Sequence, residues 1–178
     1  MMLHLRPHPA NPCDAIGDIL AIPSRRHGGL SLGFRVLGKR DAVRWPPVVK
    51  QGFADGLWRH TCFEAFVGIA DDPGYVELNV APSKRWAAYR FDDYRQGMRR
   101  AGAAPSRLTS WYGPNATLMT DFDIPDLPAD RAWRIGLSAV IEMLDGTRNY
   151  FALTHPVGNP DFHNRDCFTV RLPAPEAP

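Results

Sequence analysis

Seventeen prolines and 15 glycines are distributed along this 178-residue chain as punctuation between short apolar runs. No stretch is long enough and free enough of breakers for an extended helix, so the pattern calls for many short strands joined by turns. Strand-like segments lie at 2–8, 30–37, 62–69, 75–81, 85–92, 117–124, 133–142, 149–155 and 167–172. About nine strands suit an all-β, antiparallel two-sheet β-sandwich of jelly-roll or immunoglobulin-like type. Asp71-Asp72-Pro73-Gly74, Asp145-Gly146 and residues 156–160 carry turn chemistry and are expected to close hairpins. One short helix is expected over 94–103, residues 121–131 read as a proline-broken loop, and residues from about 173 read as a frayed tail.

The length fits one domain spanning 1–178. A composition 44% hydrophobic and 22% charged is that of a globular protein and excludes a disordered chain. The net charge is +2 and the arginines are scattered, so no footprint for nucleic acid or an anionic membrane surface is present. No apolar stretch approaches the roughly 20 residues of a spanning helix. Cys13, Cys62 and Cys167 are odd in number and lack metal spacing, and the first 14 residues lack a signal-peptide pattern, so a cytoplasmic location is expected.

Side chains alternate faces along a strand, so parity sorts the polar residues. Glu64 opposes the stripe Phe63, Ala65, Val67 and Ile69, and Glu77 and Asn79 oppose Val76, Leu78 and Val80. Ser138 and Glu142 likewise oppose Ile135, Leu137, Ala139 and Ile141. Glutamate is depleted in strands, yet three of the four glutamates fall within them, on the less apolar face. If these strands are neighbours, they present Glu64, Glu77, Asn79, Arg134, Ser138 and Glu142 together, extended by Trp86 and Arg90. Such a set suits a polyhydroxylated ligand: carboxylates and amides for hydroxyl groups, an indole for the face of a sugar ring. The alternative is a solvated ladder of Glu/Arg cross-strand pairs, about 0.2–1 kcal/mol each.

The run Leu57-Trp58-Arg59-His60-Thr61-Cys62-Phe63-Glu64-Ala65-Phe66-Val67, followed by Tyr75-Val76-Glu77-Leu78-Asn79 and Trp86-Ala87-Ala88-Tyr89-Arg90-Phe91, resembles the DOMON-like superfamily. The nearest likeness is to its bacterial members akin to family 9 carbohydrate-binding modules. Ile135-Gly136-Leu137 and the segment from Pro160-Asp161-Phe162-His163 to Phe168 are similar to the same branch. The resemblance implies a sandwich that binds a sugar or a haem without established catalysis. It gives Glu64 and Asn79 the family's strand positions and Trp58 the aromatic before the strand. The expected site is therefore Trp58, Glu64, Glu77, Asn79, Trp86, Arg90 and Glu142.

Other chemistries have weaker signals. A haem would draw an axial pair from Met98, Met119, Met143, His60, His155 and His163. Ca²⁺ or another metal could use Asp161, His163 and Asp166, although these match no known metal spacing. Two glutamates could act as acid and base on a glycoside. No nucleophile elbow, phosphate loop or metalloprotease motif is present. An exposed sheet edge could support a homodimer or another protein partner.

Overall fold

The computed structural model describes residues 1–111 and 116–175. Thirteen strands lie among them. In chain order these are β1 (Leu3–Pro7), β2 (Ile16–Arg26), β3 (Gly29–Gly38), β4 (Gly52–Phe53), β5 (Cys62–Gly68), β6 (Tyr75–Val80) and β7 (Arg85–Phe91). There follow β8 (Arg99–Arg100), β9 (Ala104–Trp111), β10 (Ala116–Asp123), β11 (Trp133–Glu142), β12 (Arg148–Ala152) and β13 (Val170–Leu172). Their hydrogen-bonded order is β4-β7-β6-β5-β11-β12-β1-β2-β3-β10-β9, with β8 added to β7 and β13 to β11. All pairs are antiparallel except β4 with β7, so the sheet is mixed.

β1 is the corner at which the sheet curls. Leu3, His4 and Leu5 pair with β2, whereas Arg6 and Pro7 pair with β12. The curl brings the apolar face of β2, β3 and β10 against that of β5, β6, β7 and β11. Between them lies the main core, with Ile19, Phe34, Leu118 and Phe122 from one arm and Phe63, Val67, Leu78, Leu137 and Ile141 from the other. The rings of Phe34 and Phe63 stack across it at 4.9 Å, and Trp86 meets Phe122 edge-on at 6.2 Å.

The expected hairpins at 71–74 and 145–146 join β5 to β6 and β11 to β12. Residues 156–160 do not close one. β5 occupies one edge of β11, so β12 and β13 both pair with its other edge, in successive registers, and never with each other. The chain between them, 153–169, must leave the sheet and cross its outer face. The helix expected at 94–103 is also replaced by turns and β8: Arg95 and Gly97 take positive φ (53° and 65°), and the Asp93 carboxylate accepts from Tyr94 N. That segment has no apolar stripe to bury, and tertiary burial is what holds a short helix in place. β2 and β9 were not expected. Outward-facing Leu20 and Ile22 and the central Pro23 obscure alternation in β2, and Pro105 with polar neighbours does so in β9. Of the expected tail, 176–178 lie outside the described residues.

Candidate ligand-binding site

β11, β5 and β6 are consecutive in the sheet, so their polar positions meet. Glu64 stands opposite Ser138 on one side and Asn79 on the other, while Glu77 stands opposite Phe66, on the diagonal from Glu64. Ser138 Oγ donates to Glu64 Oε2 at 2.8 Å, and Asn79 Nδ2 donates to Glu77 Oε1 at 2.6 Å. Cys62 Sγ, also buried, lies 3.6 Å from Asn79 Oδ1.

This face is not the solvated ladder of the alternative reading. Glu64 is 3% exposed, Glu77 5% and Asn79 0%. A second apolar cluster covers it, in which Phe66, Tyr75, Tyr89 and Phe91 on the sheet meet Cys167 and Phe168 from the crossing segment. The crossing is tight over Gly136. A Cβ there would stand 3.0 Å from Phe168 Cδ1 and 3.1 Å from Cys167 O, so the chain can lie flat on β11 only where a side chain is missing. Arg165 ties the same segment to the β5–β6 end by donating to Ile69 O and Pro73 O, each at 2.8 Å.

The covering segments stop short of closure and leave a cavity of about 420 Å³. Glu64 and Glu77 lie on its floor, Phe66 and Phe91 beside them. Trp58, on the 3₁₀ turn Leu57–Arg59, forms a wall and is 38% exposed; its ring is held edge-on to Tyr89 at 6.1 Å. His163 and Phe162 of the crossing segment, Arg95 and Met98 of the 94–98 turn, and Arg148 and Tyr150 of β12 complete the lining, with the Phe162 and Tyr150 rings 6.2 Å apart.

Burial dominates the electrostatics. It raises the proton affinity of Glu64 far above the ordinary carboxylate range, the Glu77 charge adds to this, and the Ser138 bond opposes it. Glu77 moves the same way through burial, against the Asn79 bond and the Arg95 charge. Burial and then Arg95 push His163 down to about 4. The ring is therefore neutral near pH 7, and its 3.7 Å approach to Glu77 Oε2 through Nε2 is not an ion pair. The Tyr75 hydroxyl meets His163 Nδ1 at 2.7 Å and accepts from Arg95 N at 3.2 Å. Arg95 in turn donates to Asp161 Oδ1 at 2.8 Å, fixing the turn to the crossing segment. The floor thus offers carboxyl groups that can hold a proton, each able to donate one hydrogen bond and accept others.

Of the residues expected in the site, Trp58, Glu64 and Glu77 line the cavity and Asn79 supports Glu77 from beneath. Trp86 and Arg90 do not extend this face. The register Val80–Trp86, Leu78–Ala88, Val76–Arg90 puts them on the main-core side, while Ala87, Tyr89 and Phe91 share the side of Glu77. Trp86 packs on Phe122 and Phe53, and Arg90 meets Asp72 at 3.4 Å. Glu142 is on the right face but turned away, with Arg44 Nε at 3.1 Å from one oxygen and His60 Nδ1 at 2.7 Å from the other. The face residues Phe66, Phe91, Arg148 and Tyr150, and the loop residues Arg95, Met98 and Phe162, are the contributors that sequence reasoning missed. The loop that closes the β11–β12 hairpin is Leu144-Asp145-Gly146, with Met143 N bonded to Thr147 O, and it puts Tyr150 opposite Val140 and Arg148 opposite Glu142; a two-residue Asp145-Gly146 turn would have shifted the register by one.

The residues weighed as metal ligands are otherwise engaged. Asp161 holds Arg95 and the Tyr94 hydroxyl, and Asp166 lies in a turn capped by Asn164. No three His, Cys, Asp or Glu side chains converge on a metal-sized point among the described residues. For haem, Met98 and His163 do line one cavity. His163 Nδ1 is held on the Tyr75 hydroxyl at 2.7 Å, while its Nε2 faces Glu77 Oε2 at 3.7 Å.

The architecture is thus a curled all-β sheet with a loop-covered polar pocket on its outer face. No family model matches the chain, and no curated protein matches it. Among solved structures, it is similar to a candidate carbohydrate-binding protein from Bacteroides uniformis, with a TM-score of 0.65 at 13% identity over 94% of this chain and 83% of that one. The two share a fold. A family 9 carbohydrate-binding module from Caldicellulosiruptor kristjanssonii in complex with cellotriose matches with a TM-score of 0.45 at 11% identity, over 80% of this chain and 68% of that one.

Proposed function

We propose that this chain is a ligand-binding module, one domain with a β-sandwich like those of DOMON-like and family 9 carbohydrate-binding proteins, and that it binds a saccharide or a related polyhydroxylated small molecule in the Glu64/Glu77 pocket. The observation that carries the reading is the pairing of two buried carboxyl groups on the floor with a partly exposed indole, Trp58, on the wall. Sugars present the same division, hydroxyl edges and apolar ring faces, and the cavity volume falls within the roughly 300–1,000 Å³ of small-ligand sites. The Bacteroides protein of like fold, itself a candidate carbohydrate-binding protein, supports the same reading.

A thermal-shift panel of mono- and oligosaccharides, neutral and charged, tests it. Saturation at about 100 times Kd adds roughly 2.7 kcal/mol, about 5–10 °C for a chain of this size. Trp58→Ala should cut the shift by about half or more at the same ligand concentration while leaving the unliganded Tm within a degree or two. If no saccharide at tens of millimolar moves Tm, the reading is wrong. A second reading, acid–base action on a glycoside, rests on the raised proton affinity of the two carboxyls. Release of chromophore from aryl glycosides, lost in Glu64→Gln, would establish it.

A further inference from the structure

The charge on the pocket wall bears on which saccharide the site takes. Along β12, Asn149 and Phe151 are buried while Arg148 and Tyr150 face the cavity, Arg148 exposed at its mouth. Directly across the strand pair from Arg148 is Glu142, the carboxylate that would ordinarily neutralise it. Glu142 is already taken on both oxygens, by Arg44 and by His60. This arrangement is held in place from Thr61, whose hydroxyl donates to Arg44 O at 3.0 Å and accepts from Glu142 N at 3.1 Å. The other cation on the lining, Arg95, is bound to Asp161. Among the described residues, Arg148 is thus the lining guanidinium with no hydrogen-bond or ion-pair partner.

We propose that the ligand of this pocket is a saccharide carrying a single anionic substituent, with its ring between Trp58 and the Glu64/Glu77 floor and its anionic group on Arg148. The inference rests on the saccharide reading given above. Its scale is right. Glu64 stands opposite Ser138 and Arg148 opposite Glu142, four residues further along β11 and on its other side, roughly 13 Å along the strands and 10 Å across them, or about 16 Å between backbones. An extended arginine covers part of that span, and a sugar ring covers the remainder. Two carboxyls beneath an anionic ligand would repel it if charged, and the burial that raises their proton affinity lessens that repulsion. A guanidinium offers a forked donor pair that matches a carboxylate and also binds phosphate, so a uronate and a sugar phosphate share the chemistry.

Calorimetric titration of the full chain with glucuronate, galacturonate and glucose 6-phosphate, against glucose and galactose, tests the proposal. An acidic sugar should bind about tenfold or more tighter than its neutral parent. Arg148→Gln should erase that advantage, bringing the acidic sugar to the affinity of its neutral parent in the same variant. Arg148→Lys should retain a phosphate sugar better than a uronate, because it keeps the charge but loses the fork. Neutral parents that bind as tightly as the acidic sugars, or an Arg148→Gln variant that weakens both alike, would overturn the anionic assignment and leave the saccharide reading standing. Binding of neither kind would overturn both.

Discussion

Raising the pH from about 5 to about 8 should destabilise this fold, and replacing Glu64 with Gln should remove much of the effect. In the unfolded chain a glutamate releases its proton near 4.5, whereas in the fold Glu64 and Glu77 keep theirs into the neutral range because burial penalises the charge. A folded-state pKa above the unfolded value means that the folded state binds more protons between the two. The stabilisation is fully present below about 4.5 and is lost as pH rises through the folded value. Each such group contributes a slope of up to about 1.4 kcal/mol per pH unit. His163 acts with the opposite sign: neutral in the fold down to about 4 and protonated below about 6.5 when unfolded, it favours the fold as pH rises between those values. From about pH 4.5 to 6.5 His163 and His155, whose pKa burial also lowers, offset the two glutamates, and above that range the glutamates act unopposed. In Glu64→Gln, His163 and His155 match or outweigh Glu77, so its stability should be flat or rise up to about pH 6.5. Gln can still accept from Ser138, and the variant should be the more stable protein at pH 8. Thermal or urea unfolding of both proteins in steps across this range measures it. All other titrating groups are common to the two, so the difference isolates Glu64, and it should grow by about 3–5 °C in Tm per pH unit. A difference that stays constant with pH would show that Glu64 is charged in the fold, and would remove the basis for treating the floor as a proton-holding site.

Trp58→Ala and Trp86→Ala should separate the two faces of the sheet. The first weakens saccharide binding about tenfold or more with little change in Tm, and the second costs about 3 kcal/mol of stability through the core contact with Phe122 without removing any group from the pocket, which titration and urea unfolding together would distinguish. Gly136→Ala should cost about 1–3 kcal/mol, because the new methyl would stand 3.0–3.1 Å from Phe168 and Cys167, inside ordinary van der Waals contact, and should loosen the crossing segment, seen as faster amide exchange over 160–168. Tyr75→Phe removes the hydroxyl that links His163 to the Arg95 backbone and should lower stability by about 1–2 kcal/mol, read by urea unfolding.

What could be read from the sequence followed from local periodicity, and what could not depended on which strands meet. Alternation in β5, β6 and β11 sorted Glu64, Glu77, Asn79 and Ser138 onto one face because the opposite face of each is continuously apolar. In β7 the same test has no purchase. Ala87 and Ala88 are both fully buried, since one side packs on the main core and the other on the second cluster, so parity cannot say which side belongs with Glu77. The turn settles it. Ala81 N bonds Arg85 O, Lys84 N bonds Ala81 O and Lys84 takes φ 71°, a turn that puts Trp86 opposite Val80 and hence in the core. The cover over the site was hidden for a related reason. Two strands paired along one edge of β11 force the intervening chain across the sheet, a consequence of topology that no window on 156–168 contains. The crossing then changes what the strand glutamates are. On an open face they would be ordinary solvated carboxylates; beneath Phe168, Phe162 and His163 they become proton-holding groups in a pocket, so the chemistry of the site is set as much by the segment that covers it as by the strands that carry it.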